Sequence, residues 1–298
     1  MADPDAPKKV IVTALPCETD AVLAHLVDVR PAAHPEGTLF DVGVLRSAPH
    51  IPVAVVAAGM GNLGAAALTE RAIAHFDPDL LLFCGIAGGL KPDLELGDVV
   101  VASKTYAYQG GRSEDDDFHS RPRSWELQHA VDQVARRIKD EQWHALLPAA
   151  PGLPKPSARL APIAAGEVLL ASRTSPVARQ LHHHFNDAVA VEMEGAGFAQ
   201  ALHFNRRVLS AVVRGISDHA DRAKAGTDSR GWQHVAAANA AAYAVALVTA
   251  LHRGERAERR PAEERPQLQL PTVHNTNNAS GNAHVGQQNG INLSGWSK

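Results

Sequence analysis

The chain has 298 residues, 45% of them hydrophobic, which is enough for one large α/β domain or two small ones. Its formal net charge of -3 and pI of about 6.6 provide no basic field that would favour nucleic acid or an anionic membrane. Two cysteines, Cys17 and Cys84, imply no disulfide framework. The N-terminus shows no signal-peptide pattern, and no apolar run approaches the roughly 20 residues of a membrane helix. We expect a cytoplasmic protein that binds neither nucleic acid nor membrane.

Strand and helix patterns alternate along the chain as far as residue 253. Apolar runs rich in β-branched residues predict strands at 8–15, 38–45, 51–59, 78–90, 97–108, 168–173, 187–193 and 206–218. Apolar residues at helical spacing predict helices at 16–26, 62–76, 123–145 and 231–253. This alternation predicts one domain, residues 7–253, with a mixed or mostly parallel sheet flanked by helices.

Acidic residues follow several of the predicted strands. Glu18, Glu194 and Asp218 each come just after an apolar run, and glycine-rich turns occur at 59–62 and 85–89. Helix capping explains Asp218 taken alone, and first-turn charge explains Glu194. Because ligands of such sheets bind at the carboxyl ends of the strands, three acids and the glycine turns together favour a ligand site there.

Segments of the chain resemble the purine nucleoside phosphorylase/nucleosidase superfamily, most closely the branch that hydrolyses 5'-methylthioadenosine and S-adenosylhomocysteine. The segments, in family order, are TALPCET, AAGMGNLGAAA, CGIAGGLKPDLELGDVVV, AVEMEGAG and VVRGISDHAD. The resemblance covers about residues 8–252. It implies a single three-layer α/β/α domain with a mixed central sheet, cleavage of a purine N-glycosidic bond, a homodimer, and no cofactor or metal.

The resemblance also assigns roles to the acids. Glu194 accepts hydrogen bonds from the ribose diol, a task that suits a carboxylate, and Met193 packs against the sugar. Asp218, which follows Ser217, protonates the purine, and Glu18 binds the attacking water. A dry pocket would raise the pKa of the proton donor into a useful range.

Further substrate contacts follow from the same resemblance. Gly88 in the glycine turn lies at the substrate, and Leu169 with Leu170 matches the segment where the nucleosidase branch places an aromatic residue against the purine. A leucine gives up ring stacking of about 1 kcal/mol. The segment 108–122 is acidic and carries arginine. The 5' group of the substrate, methylthio or phosphate, therefore stays open.

Two charged residues near the proposed site have other interpretations. Strand alternation points Glu192 away from Met193, so we interpret Glu192 as a structural partner. Arg214 lies four residues before Asp218 on one segment. It either neutralises a buried carboxylate or forms a surface salt bridge.

Water is favoured over phosphate as the nucleophile. A phosphorylase needs cations for phosphate, and its relatives carry an arginine just before the glycine turn of the fourth strand. Phe83 and Cys84 stand there, and GMGNLG offers no cation. Two alternative functions remain: a nucleotide-depleting effector of bacterial defence that cleaves ATP or NAD, or a non-catalytic module that senses a nucleotide.

Other candidate motifs have simpler explanations. Three consecutive histidines, residues 182–184, point about 100° apart on a helix and cannot converge on one metal ion. The acidic run 114–119 is typical of a solvated loop. Cys17 has no histidine near it in sequence, and we expect it to be buried rather than catalytic.

The composition changes after Arg253. Residues 254–272 are charged and proline-bearing, which is typical of a linker. Residues 273–298 are rich in Asn, Gln and Gly and have too few apolar anchors to form a core. Residues 279–295 resemble bacterial amyloid-type signalling motifs, which implies self-assembly or recruitment of a partner with a like motif. A plain disordered tail and a lid over the pocket are the alternatives.

Overall fold

The computed structural model describes residues 7–115, 118–149, 152–221 and 231–259. The strands in these ranges are β1 Lys9–Thr13, β2 Leu26–Ala33, β3 Leu39–Leu45, β4 Ala48–Ala57, β5 Leu80–Gly89, β6 Val99–Ala107, β7 Gly111–Ser113, β8 Phe118–Ser120, β9 Arg123–Glu126, β10 Ala158–Ala165, β11 Ala190–Glu192 and β12 Leu209–Asp218. The helices are α1 Pro16–Leu23, α2 Asn62–Phe76, α3 His129–Ala135, α4 Asp140–His144, α5 Pro176–His184, α6 Gly195–Phe204 and α7 Trp232–Arg259.

The central sheet is mixed, which confirms the predicted fold class. Its strand order is β11-β10-β6-β12-β5-β1-β4-β3-β2, with β9 paired to β6 and a separate ribbon formed by β7 and β8. The neighbours β12, β5, β1 and β4 run parallel, whereas β6 runs antiparallel to β12. Alternation along β1 sends Ile11 into one apolar cluster and Val10 and Val12 into another. The core therefore occupies both faces of the sheet.

One end of the sheet closes on itself. The last residues of β5 also pair antiparallel with β11, Ala190 opposite Gly89 and Val191 opposite Gly88, while Gly88 stays paired with Asp218 of β12. Strands β11, β10, β6, β12 and β5 thus form a ring. Consequently the residues that follow β11 lie beside the glycine turn of β5. The prediction that the site residues meet at the carboxyl ends of parallel strands is correct for β5 and β12. Strand β11, in contrast, pairs with β5 in the antiparallel direction.

Several predicted elements are wrong in the middle of the chain. The single helix predicted at 123–145 is strand β9, which pairs with β6, followed by the short helices α3 and α4. The strand predicted at 168–173 is a loop, because the strand lies earlier, at β10. Pro162 disguises β10, and the register shifts between Ala161 and Ile163 where that proline interrupts the ladder.

Helix α7 packs in the core of the domain. By length and composition Trp232–Gly254 is apolar enough to cross a membrane, contrary to our expectation from the sequence, but 72% of its most apolar window is buried inside the fold. A helix that packs in a protein core can be equally long and apolar. The chain divides into a compact unit that ends at Glu255 and a second unit, Arg256–Lys298, of which only residues 256–259 are described. The predicted linker and tail lie mainly outside the described residues.

Candidate active site

Glu18 is buried in the first turn of α1, with 2% of its surface exposed. Its Oε2 accepts hydrogen bonds from the backbone N–H groups of Ala14 (2.7 Å) and Leu15 (2.9 Å), and its Oε1 accepts one from Ile86 (2.8 Å). Burial raises the pKa of Glu18, against the opposing effect of Arg214 and these hydrogen bonds. A carboxylate has about four acceptor positions, so one position on Oε1 remains for a further donor.

Arg214 on β12 is fully buried, which decides between the two interpretations of this residue. Its Nη2 donates to Oε2 of Glu192 and to Oε2 of Glu194, the latter at 3.1 Å. The guanidinium lies 4.5 Å from the centre of the Phe83 ring, a cation–π contact. Arg214 therefore neutralises buried carboxylates, and Phe83, just before the glycine turn, supports it.

Glu192 and Glu194 share Arg214 but differ in how many backbone groups hold them. Glu192 accepts from the N–H of Glu194 on Oε2 (3.1 Å), from the N–H of Gly195 on both oxygens (2.9 Å) and from Arg214 on Oε2, so its Oε2 is fully occupied. Burial, and then the charge of Glu194, raises the pKa of Glu192 to about 7, against the opposing effect of Arg214. Glu194 accepts from Gly61 N–H on Oε1 (3.1 Å) and from Arg214 on Oε2. One position on each of its oxygens remains, which matches the two hydroxyls of a diol.

Asp218 ends β12 and is 2% exposed. Ser217 Oγ donates to its Oδ2 at 2.9 Å, and the N–H of Ala220 donates to its Oδ1 at 2.8 Å. Ala220 has φ 51°, a left-handed turn that folds the chain back over the carboxylate. A Cβ at Gly88 would lie 3.0 Å from Asp218 Oδ1, so a glycine there keeps the carboxylate accessible from β5.

Position 85 requires glycine for a related reason. A Cβ on Gly85 would lie 2.6 Å from Glu18 Oε1 and would also strike the guanidinium of Arg214. Both neighbours are buried and held by several bonds, so neither can move aside. The glycine turn at the end of β5 therefore allows Glu18 and Arg214 to approach one another.

These acids line one cavity of about 290 Å³, which we call the acid cleft. Its lining residues are Ala14, Leu15, Glu18, Met60, Ile86, Ala87, Gly88, Leu169, Val191, Glu192, Met193, Glu194, Ser217, Asp218 and Gln233. The charged ones are all carboxylates, as far as the described residues extend. A recess that shares Gly88, Leu169, Met193 and Asp218 with the cleft is also lined by Leu170. The structure thus brings together every residue predicted for the site.

The two leucines differ in environment. Leu169 is 62% exposed at the mouth of the cleft, whereas Leu170 is buried in an apolar cluster that includes Tyr108 and Phe185. Both lie in the loop after β10. The sequence pattern did not identify Gln233, which enters the cleft from the start of α7, or Glu167, which precedes the leucines. A lone polar residue at an element boundary gives no distinctive signal.

A larger concavity lies elsewhere and does not contain the acids. This groove of about 650 Å³ runs between β9 and α6 and is lined by residues such as Trp125, Gln128, Phe204 and Arg206. We place the candidate site in the smaller acid cleft because four buried carboxylates converge there, whereas the charged side chains that line the groove are exposed.

The remaining motifs do not form sites within the described parts of the chain. His182, His183 and His184 occupy the exposed last turn of α5, and the described residues contain no cluster of three metal-binding side chains. Residues 116 and 117 of the acidic run lie outside the described ranges. Cys17 is half-buried, not buried as expected, and this partial burial with the charge of Glu18 raises the pKa of its thiol, which disfavours the thiolate that catalysis would need.

The fold and the acid cleft together define a nucleoside phosphorylase-like α/β protein. Residues 8–251 match the family model of the Phosphorylase superfamily, so the chain belongs to this superfamily.

Individual relatives and structures are also similar. A curated relative, the 5'-methylthioadenosine/S-adenosylhomocysteine nucleosidase of Chromohalobacter salexigens, is 26% identical over 224 residues, 72% of this chain and 86% of the relative. The structure of such a nucleosidase from Colwellia psychrerythraea, in complex with adenine, has a TM-score of 0.69 at 24% identity and covers 83% of this chain and 96% of its own. The futalosine hydrolase of Helicobacter pylori has a TM-score of 0.66 at 23% identity and covers 82% and 98%. At these identities the structures show the fold.

Proposed function

We propose that the protein hydrolyses the N-glycosidic bond of an adenosine-type purine nucleoside or nucleotide and releases the free base. The observation that carries this proposal is the acid cleft, where Glu18, Glu194 and Asp218 converge from three elements. The nucleosidase names of similar proteins support it. We propose no cofactor or metal, because the carboxylates supply both the acid and the base.

The bonding of each carboxylate supports a separate role. Glu194 has one acceptor position on each oxygen for the 2'- and 3'-hydroxyls of ribose, and Met193 packs on the sugar beside it. Asp218, which lines the cleft with Gly88, Ser217 and Leu169, donates a proton to the purine. Base departure then breaks the bond between C1' and the purine nitrogen.

Glu18 supplies the nucleophile in this scheme. Its remaining acceptor position on Oε1 binds a water, and burial raises the pKa of Glu18, so its carboxylate is a stronger base. The water oxygen bonds to C1' as the base leaves, and its proton passes to Glu18. The products are the free base and the sugar, with one water consumed.

Hydrolysis is favoured over phosphorolysis because the backbone N–H groups near the cleft already donate to carboxylates of the protein. The N–H groups of Gly61, Asn62 and Ile86 would suit an anion, but they donate to Glu194, Glu167 and Glu18. The protein's own carboxylates therefore occupy the places that phosphate would need. No cation from the described residues lines the cleft.

Chromatography of reaction mixtures tests the proposal. The protein is incubated with methylthioadenosine, adenosylhomocysteine, adenosine, AMP, ATP and NAD, with and without phosphate, and free base is measured. We expect base release without phosphate, and the preferred substrate identifies the 5' group. A strict requirement for phosphate would instead make the enzyme a phosphorylase. Tight nucleotide binding without base release would support the sensing module.

We also propose a homodimer, supported by exposed apolar side chains beside the cleft. Met60 and Leu63, at the start of α2, are 69% and 86% exposed, and Phe204, at the end of α6, is 73% exposed. Met60 lines the cleft and Leu63 lies in the first turn of α2, so these two form one apolar patch there, whereas Phe204 lines the groove between β9 and α6. Light scattering should give twice the mass of the chain, and Leu63→Lys should shift it toward the monomer. Cytoplasmic location and a signalling role for residues 273–298 stay predictions.

A further inference from the structure

The loop after β10 carries both leucines of the candidate site without strand pairing of its own. We call residues 167–173 the strap. Val168 and Leu169 in the strap are 37% and 62% exposed, and Leu170 turns inward. Because the strap itself forms neither a strand nor a helix, its position depends on a few side-chain contacts.

The strap begins with a set of hydrogen bonds at Glu167. Its Oε1 accepts from the backbone N–H of Asn62 at 3.2 Å and from Asn62 Nδ2 at 2.8 Å. Its own N–H donates to Gln109 Oε1 at 2.6 Å. Asn62 is the first residue of α2, and the start of a helix favours a carboxylate through its unpaired N–H groups and its dipole.

The same asparagine is fixed on its other side. Asn62 Oδ1 accepts from the N–H of Gly197 in α6 at 2.8 Å, and a side chain at Gly197 would collide with the backbone of Asn62. The preceding residue, Gly61, donates to Glu194. Glu167 is therefore hydrogen-bonded to the start of α2, and the residue just before this helix bonds to Glu194, the carboxylate proposed to bind ribose.

The far end of the strap is attached beside Asp218. Arg173 Nε donates to the carbonyl of His219 at 3.2 Å, one residue past the proton donor. The strap thus crosses from the start of α2 to the end of β12, with Leu169 and Leu170 between its two attachments. A purine bound against Asp218 would lie under this crossing.

We propose that the contact between Glu167 and Asn62 is a clasp that holds the strap over the purine and so sets affinity for the base. Glu167 is a positioning residue in this proposal, since it does not line the acid cleft and acts through Leu169 and Leu170. The inference rests on the proposed function for the presence of a purine. The alternative is that Glu167 only caps α2, in which case its loss lowers stability alone.

Variants of Glu167 test the clasp through binding of free adenine, measured by calorimetry, and through base release from adenosine. Glu167→Ala should weaken adenine binding about tenfold and raise KM in parallel, since it loses hydrogen bonds to a charged acceptor, while kcat stays within about twofold. Glu167→Gln keeps an acceptor oxygen and should restore most of the affinity.

The matched control is Glu70→Ala. Glu70 also accepts from an asparagine side chain, Asn205 Nδ2 just after α6 at 2.9 Å, and is also exposed, but it lies away from the acid cleft. This variant should leave adenine affinity unchanged. In a double-mutant cycle, Asn62→Ala combined with Glu167→Ala should weaken adenine binding little more than Asn62→Ala alone.

Limited trypsin digestion gives a readout that needs no ligand. Cleavage after Arg173 should be faster in Glu167→Ala than in the wild type or in Glu70→Ala, because the strap opens. Unchanged cleavage with unchanged adenine affinity, or a loss of thermal stability alone, would overturn the clasp. A wild-type protein that neither binds adenine nor releases base would overturn the proposed function instead, and the trypsin result would still decide whether Glu167 holds the strap.

Discussion

The two walls of the acid cleft are built in opposite ways. On one side, Glu18, Glu192, Glu194, Asp218 and Arg214 are buried, and each makes several hydrogen bonds or ion pairs to groups that are themselves fixed. On the other side, the strap lies at the surface without strand pairing. The groups proposed to react therefore sit on the rigid wall, and the residues that would flank the base sit on the adjustable one.

This difference assigns catalysis to the buried wall and binding of the base to the strap. A preorganised charged wall needs no rearrangement when charge develops on the sugar, which is how electrostatic catalysis gains its advantage. A weakly attached strap can admit a bulky nucleoside and then cover its base. Changes in the buried wall should therefore affect rate and folding, and changes in the strap should affect affinity.

The largest effect is expected at Asp218. Asp218→Asn keeps the shape and the hydrogen bonds to Ser217 and Ala220 but removes the acidic proton, so kcat should fall about 10³-fold or more. Rates are measured by release of free base, with circular dichroism to check the fold. Asp98→Asn is the matched control, since Asp98 is also buried and accepts two backbone N–H bonds away from the cleft. Turnover of Asp218→Asn near that of the wild type would remove Asp218 from the acid role.

Removing Arg214 should break the rigid wall itself. Arg214→Met leaves Glu192 and Glu194 buried without a cation, and the free energy of unfolding should fall by about 3 kcal/mol or more. Urea unfolding measures this loss. The control is Arg159→Met, which removes a more exposed pair with Asp93 and should cost far less. Equal losses for the two variants would mean that the buried network does not stabilise the fold.

The contrast between the walls also explains what could be read from the sequence. Glu18, Glu194 and Asp218 could be found because an acid after a buried strand is unusual and glycine turns accompany it. Arg214 was ambiguous, since burial of its side chain depends on β11, and the antiparallel pairing that brings β11 to β5 joins segments about 100 residues apart. The apolar residues Val168, Leu169 and Leu170 predict a strand where the strap is a loop. The neighbouring strand β10 gives no clear pattern because it contains Pro162. Local patterns identify residue types, but long-range pairing decides which of them meet.

The rigid wall should also respond to pH. The pKa of Glu192 is raised from its ordinary value near 4.5 to about 7, so the folded state binds a proton more tightly than the unfolded state. This contribution to stability is complete below the unfolded pKa and is lost as pH rises through about 7.

Unfolding of the wild type and of Glu192→Gln at pH 5 and pH 8 isolates this effect, since glutamine does not titrate. The wild type should lose about 2–3 kcal/mol relative to Glu192→Gln over this range. A gain of the wild type with rising pH would mean that pairing with Arg214 outweighs burial and that Glu192 is ionised throughout.

The smallest effect is expected in the strap. Leu169 is 62% exposed, so a larger side chain meets no packed core, and a phenylalanine there can lie offset against a purine. Leu169→Phe should tighten adenine binding by about 1 kcal/mol, the usual value of an aromatic pair beyond its buried area, with kcat unchanged. Calorimetry with free adenine measures the change, and Leu39→Phe, a similarly exposed leucine at the start of β3, is the control. Unchanged adenine affinity in Leu169→Phe would show that the base lies elsewhere than beside the strap, and weaker binding would show that the ring takes up the space of the base.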